Sequence, residues 1–107
     1  MSSLQLKDSP TLADLQRYVQ DMVIERGFHE ETIAQRFMLL MEESGEFAKA
    51  ARKAEGIRSA DDSKIKELTH EAADVLIILL GLCNMLNIDL EQAFREKEEH
   101  NKKRTWK

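Results

Sequence analysis

Residues 71–83 read EAADVLIILLGLC. From Val75 to Cys83 every position is apolar or glycine, while two acids, Glu71 and Asp74, stand immediately before the run. A helix that is apolar all round must be covered on all sides. The nine residues of the run are about half of what a membrane-crossing helix needs. The stretch therefore reads as a buried helix with acids set at its edge, and no membrane partner is expected.

Outward from this run the pattern stays helical. The helix that contains it is expected from near Ser63 to around Asn87, with Ile65, Leu68, Ala72, Val75, Leu76, Leu79 and Leu80 as its stripe. Upstream, Ser9-Pro10 reads as a cap and first-turn proline, opening a helix through Arg26 that Gly27 ends. Its apolar residues Leu12, Leu15, Val19, Met22 and Val23 recur at spacings of three and four. A second helix is expected from Glu30 to Ala54, with Gly56 as its stop and the polar stretch GIRSADD as a loop. Its core stripe would be Ile33, Phe37, Leu40, Met41, Ser44, Ala48 and Ala51. Asp89 with Gln92 forms a capping-box pattern for a fourth helix carrying Leu90, Ala93 and Phe94. No window alternates with period two, so no sheet is expected. The fold class is all-α, a four-to-five-helix bundle. Residues 1–8 are read as a flexible N-terminus, 9–100 as one helical domain and 101–107 as a basic tail. Three other short helices can hardly wrap Val75–Cys83, so a homo-oligomer built on that helix is expected.

Composition narrows the function. The chain has 107 residues, 42% hydrophobic and 34% charged, with a net charge of −4. No basic stretch is long enough to follow a phosphate backbone, so nucleic acid is not an expected partner. The single cysteine, Cys83, lies in the apolar run and allows no internal disulfide, and the N-terminus has no apolar signal region. A cytoplasmic location is expected.

The acids carry the chemistry. EESGE at 42–46 and EAAD at 71–74 hold five carboxylates, and each cluster borders packed surface. Glu43 and Glu46 are three apart on one helix face, and Glu71 and Asp74 repeat the spacing. If the two helices form an antiparallel hairpin, Glu46 and Glu71 are each eight residues from the turn, roughly 12 Å along the axis. Glu43 and Asp74 are likewise level, which gives a compact square of four carboxylates. Two like charges about 4 Å apart repel by about 4 kcal/mol at an effective dielectric of about 20. Several such pairs would consume much of a small domain's stability, roughly 5–15 kcal/mol. A divalent cation removes the conflict, and all-oxygen ligands favour Mg²⁺ or Mn²⁺. The bland alternative is a solvated acidic ridge paired with Arg36, Lys49, Arg52, Lys53 or Lys66.

EESGE, a 24-residue gap and EAAD resemble the EExxE…ExxD signature of the MazG-like all-α nucleoside triphosphate pyrophosphohydrolases and their dCTPase and dimeric dUTPase relatives. The resemblance covers most of the chain, from about Phe28 to the tail KEEHNKKRTW. It implies Mg²⁺-dependent cleavage of a (deoxy)nucleoside triphosphate between the α and β phosphates, giving a monophosphate and pyrophosphate. It assigns Glu43, Glu46, Glu71 and Asp74 as metal ligands and Glu42 as an outer acid that orients or deprotonates the attacking water. The tail resembles a K-x-x-x-N-x-x-R ending, in which Lys97, Asn101 and Arg104 would reach the triphosphate. Arg52 and Lys53 are further phosphate-binding candidates, and Trp106 is a candidate for stacking a base. The resemblance also implies a dimer or a dimer of dimers, and a house-cleaning role in nucleotide pools.

Two rival readings stand beside this one. Glu67-x-x-His70 has the spacing of a di-iron bundle motif, although such sites need two of these motifs and only one is present. An acidic recognition surface on a non-enzymatic interaction module is the other.

Overall fold

A computed structural model describes residues 2–55 and 62–106, which form four α-helices and one 3₁₀ turn. Helix α1 spans Leu12–Glu25, the 3₁₀ turn Phe28–Glu30, α2 Ile33–Glu55, α3 Asp62–Met85 and α4 Leu90–Lys102. No strand occurs among the described residues, as the periodicity requires. Most of the expected loop GIRSADD, through residue 61, lies outside the described residues, as does the Gly56 stop signal.

Local chemistry sets the helix ends. α1 is capped by Thr11, not by Ser9, and this corrects the expectation. The Thr11 hydroxyl accepts from Asp14 N–H, and the Asp14 carboxylate accepts from Thr11 N–H, both at 3.0 Å. Such a reciprocal box satisfies two of the free N–H groups at a helix start, so it outcompetes a lone serine two residues earlier. Gly27 ends the α1 region in the left-handed conformation, φ +76°, which only glycine adopts at little cost. α2 starts at Ile33 rather than Glu30, because Thr32 and Gln35 form a second reciprocal box at 2.8 and 3.1 Å. Of the box expected at the start of α4 the Asp89 cap on Gln92 N–H forms, at 3.1 Å, but the Gln92 side chain donates to Glu96 rather than closing the box. The N-terminal segment runs back along α1: Ser2 Oγ and Ser3 N–H donate to Glu25, and Leu4 packs against the core.

α2 and α3 form the long antiparallel hairpin, and α1 packs across the second half of α3. There Val19 and Met22 meet Leu80 in the buried core, with Leu12, Leu15, Ile77 and Leu90 around them. Polar groups lock this junction. Buried Gln16 donates to Asn84 Oδ1 at 3.0 Å and to the Ile88 carbonyl at 2.6 Å, and accepts from Leu90 N–H at 3.0 Å. Asn84 answers by donating to the Gln16 carbonyl at 3.1 Å.

This packing redistributes the apolar surface. Leu80, Leu82 and Cys83 are buried within the single chain, because α1 covers that end of α3. The stripe expected to be core on the second helix is instead largely open: its members Ile33, Phe37 and Met41 are exposed, Met41 to 73%, and so are Met38 and Phe47 beside it. Leu76 and Leu79 of α3 are also exposed. The radius of gyration is 16.5 Å, against about 13 Å for a compact domain of this size. α3 is long and apolar enough, over Lys64–Met85 with mean hydropathy 1.4, to cross a membrane by length and composition, a longer stretch than the nine-residue run suggested. Its middle nevertheless carries Glu71 and Asp74, and its second half supplies Leu80, Leu82 and Cys83 to the protein core.

Candidate metal centre

The hairpin brings the two acidic clusters together. Glu43 leaves α2, and Glu71 and Asp74 leave α3 one turn apart; ligand oxygens of the three lie within 4.8 Å of one another. The pairing of Glu43 with Asp74 follows from the equal distances of these residues from the ends of α2 and α3. Glu43 and Glu71 are half-buried and Asp74 is exposed. Glu46, one turn beyond Glu43, is exposed and stands outside the triad, so the expected square is a triangle with a fourth carboxylate beside it. Glu42 is exposed on the adjoining face of α2.

The electrostatics show a charge conflict. The Glu43 carboxyl is pushed above its ordinary value, first by burial and then by the charges of Asp74, Glu71 and Glu46. Glu71 Oε2 is buried and has no hydrogen-bond partner. Ion pairs among the described residues lie elsewhere: Lys7 and Arg17 with Asp14, and Lys102 with Glu99. Among the described residues none of Arg36, Lys49, Arg52, Lys53 and Lys66 forms an ion pair with these acids. Crowded, partly buried carboxylates with an orphaned oxygen and no cation fit a hard divalent ion, since such ions take oxygen ligands only. His70 and Glu67 are exposed and do not join the triad.

A cavity of about 270 Å³ adjoins the triad, sharing Asp74 and lined by Phe28, Leu39, Ile77 and Ile78 together with Arg36. A larger hollow of about 620 Å³ between the N-terminal segment and α1 includes none of the carboxylates of the triad. The apolar cavity, with its few polar groups, is the better ligand site.

The other sequence-derived site residues fall in two places. Arg52 and Lys53 are exposed in the last turns of α2, beyond Glu46. Lys97 and Asn101 belong to α4, which packs on α1, and Arg104 and Trp106 to the tail that follows it. There Trp106 Nε1 donates to the Asn101 carbonyl at 3.1 Å, and the Arg104 guanidinium lies 4.5 Å from the Trp106 ring centre. Within one chain, Trp106 is thus occupied by its own neighbours. Arg36 was missed as a site residue. Its one signal was Gly81, the single glycine in the apolar run Val75–Cys83.

The chain is similar to the uncharacterized protein YvdC of Bacillus subtilis (strain 168), 32% identical over 100 residues that span 87% of this chain and 94% of that protein. The model of the phosphoribosyl-ATP pyrophosphohydrolase family matches residues 12–101, from the first residue of α1 into the last turn of α4, and so includes every carboxylate of the centre. By this match the chain belongs to the phosphoribosyl-ATP pyrophosphohydrolase family, a group of pyrophosphohydrolase-type hydrolases related to the MazG-like all-α enzymes that its motifs resemble.

Proposed function

We propose that the protein is a Mg²⁺- or Mn²⁺-dependent nucleotide pyrophosphohydrolase that cleaves (deoxy)nucleoside triphosphates between the α and β phosphates. The observation that carries this reading is the triad of Glu43, Glu71 and Asp74, with its raised Glu43 pKa and orphaned Glu71 oxygen. These three would hold the ion, and Glu46 can add a fourth oxygen from the next turn of α2. A bound divalent ion neutralises phosphate charge and lowers the pKa of a coordinated water. Glu42, on the solvent side of Glu43, would orient that water and accept its proton. Attack of a water oxygen on the α phosphorus would break the α–β bridging P–O bond, and pyrophosphate would leave with the electron pair of that bond. Arg52 and Lys53 lie toward the C-terminal end of α2, where they can receive the departing phosphates. Lys97, Asn101, Arg104 and Trp106 would act only from a neighbouring copy. The open apolar face of Phe37, Met38, Met41 and Phe47 is the surface on which a second copy would pack.

Product analysis tests the reaction. Purified protein is incubated with Mg²⁺ and a panel of (d)NTPs, with phosphoribosyl-ATP included because the family carries its name. Monophosphate and pyrophosphate are the expected products from a triphosphate. Diphosphate with orthophosphate would overturn the reading, and so would the absence of any metal-dependent nucleotide binding by calorimetry, which an interaction module would show.

A further inference from the structure

Arg36 is only 6% exposed, a level of burial that charged side chains rarely reach without a partner ion. Its Nη2 donates to the Phe28 carbonyl at 2.7 Å, and its Nε is enclosed with no acceptor. Nη1 lies 2.6 Å from where a Cβ on residue 81 would stand, so glycine there makes the room the guanidinium occupies. Among the described residues no carboxylate forms an ion pair with it. The helix register places it. Arg36 is seven residues before Glu43 and Gly81 seven after Asp74, which puts both about 10 Å from the carboxylates along the hairpin. Arg52 and Lys53 lie in the opposite direction. Between Arg36 and the triad is the cavity of about 270 Å³ whose walls are Phe28, Leu39, Ile77 and Ile78. Glu31 and Arg26 also line it but keep more solvent contact than Arg36.

A triphosphate held at the carboxylates therefore has two ends to place. Its phosphate tail suits the exposed cations, and its base suits the apolar cavity that ends at Arg36. We propose that Arg36 is the residue that reads the base, donating to a ring carbonyl oxygen. The substrates would then be nucleotides with an oxo group where adenine and cytosine carry an amino group. The guanidinium has donors and no acceptor. An amino group set against it opposes donor to donor and leaves a buried cation unpaired, whereas a carbonyl satisfies it. The inference rests on the pyrophosphohydrolase reading for where the phosphates sit.

Two matched pairs test it, ITP against ATP and UTP against CTP, each differing at that position. Calorimetry with Mg²⁺ and the α,β-imido analogues measures binding, and kcat/KM measures turnover. The wild-type protein should favour the oxo member of each pair by at least about tenfold. Arg36→Met should bring both ratios close to one by weakening ITP and UTP while ATP and CTP change little. Gly81→Ala, which forces the guanidinium from its seat but keeps the charge, should shift the ratios in the same direction. Equal affinity within each pair for the wild type overturns the proposal, and this arm needs no variant to fold. An equal loss for all four nucleotides in Arg36→Met also overturns it. Oxo-selective binding without hydrolysis would support Arg36 as the reader while removing the proposed reaction. Hydrolysis without base preference would do the reverse.

Discussion

Asp14 and Glu43 are both carboxylates on helix flanks, and the protein treats them in opposite ways. Asp14 accepts Thr11 N–H, pairs with Lys7 and Arg17, and is held far below the ordinary carboxylate range, chiefly by the Thr11 backbone and then by Lys7. Glu43 is pushed the other way, by burial and then by Asp74 and Glu71. Every partner of Asp14 is within seven residues of it, whereas the acids that crowd Glu43 from α3 are brought in by the hairpin. One charge is used up in starting a helix. The other is left unsatisfied by the chain and is available to a ligand.

Four measurements break or sharpen this contrast. The largest effect is on turnover. Glu43→Gln and Asp74→Asn should each lower it by on the order of 10³-fold, as loss of a metal-site or charge-stabilising group does. The helical circular dichroism should be unchanged, and the metal-free melting temperature unchanged or raised, because like charges are relieved. A collapse of the fold in these variants would make the triad a structural feature after all.

The second effect is on stability. Mn²⁺ or Mg²⁺ at about 100 times its dissociation constant should stabilise the wild type by about 2.7 kcal/mol, read as a higher melting temperature at pH 7. Asp74→Asn should lose that gain and Asp14→Asn should keep it. Equal stabilisation of both variants would place the ion elsewhere.

Third, Thr11→Ala removes a cap and should cost about 1 kcal/mol, with activity per folded molecule unchanged. A fall in turnover that exceeds the loss of folded protein would tie the α1 start to the site.

The smallest effect is in the pH dependence of the metal-free protein. A Glu43 pKa raised above 4.5 means the folded state holds that proton more tightly than the unfolded state. Its contribution to stability is present below about 4.5 and is lost as pH rises through the higher folded value. Asp14, lowered from 3.8, contributes stability above that value and loses it as pH falls. Metal-free melting should therefore improve from pH 7 toward mild acid and then worsen. Glu43→Gln should abolish the improvement and leave the acid loss in place.

Much of this was legible in the sequence. The four helices follow from apolar spacing, and the meeting of Glu43 with Glu71 and Asp74 follows from counting residues to the hairpin turn. What escaped has physical reasons. Thr11-x-x-Asp14 and Thr32-x-x-Gln35 are readable boxes, but a proline after Ser9 gave a competing signal for the first, and the helix start was set too early for the second. The stripe on α2 was identified correctly as apolar, yet periodicity does not say which neighbour covers a face, and among the described residues Phe37 and Met41 stay exposed. Glu46 shares the spacing of Glu43, but one further turn of helix carries it to the exposed side of the cluster. Arg36 has the look of a solvated cation in sequence. Its burial depends on a glycine in another helix, a relation that spacing along one segment does not contain.

The central claim is that three carboxylates from two helices are crowded together for a divalent ion. Its most direct measurement is Mn²⁺ binding at pH 7, followed by electron paramagnetic resonance of the free ion, in the wild type and in Glu71→Gln, which replaces the carboxylate with the orphaned oxygen. Saturable binding in the wild type, weakened at least about tenfold in the variant, is the expected result. Equal binding by the two proteins, or none by either at millimolar metal, would contradict it.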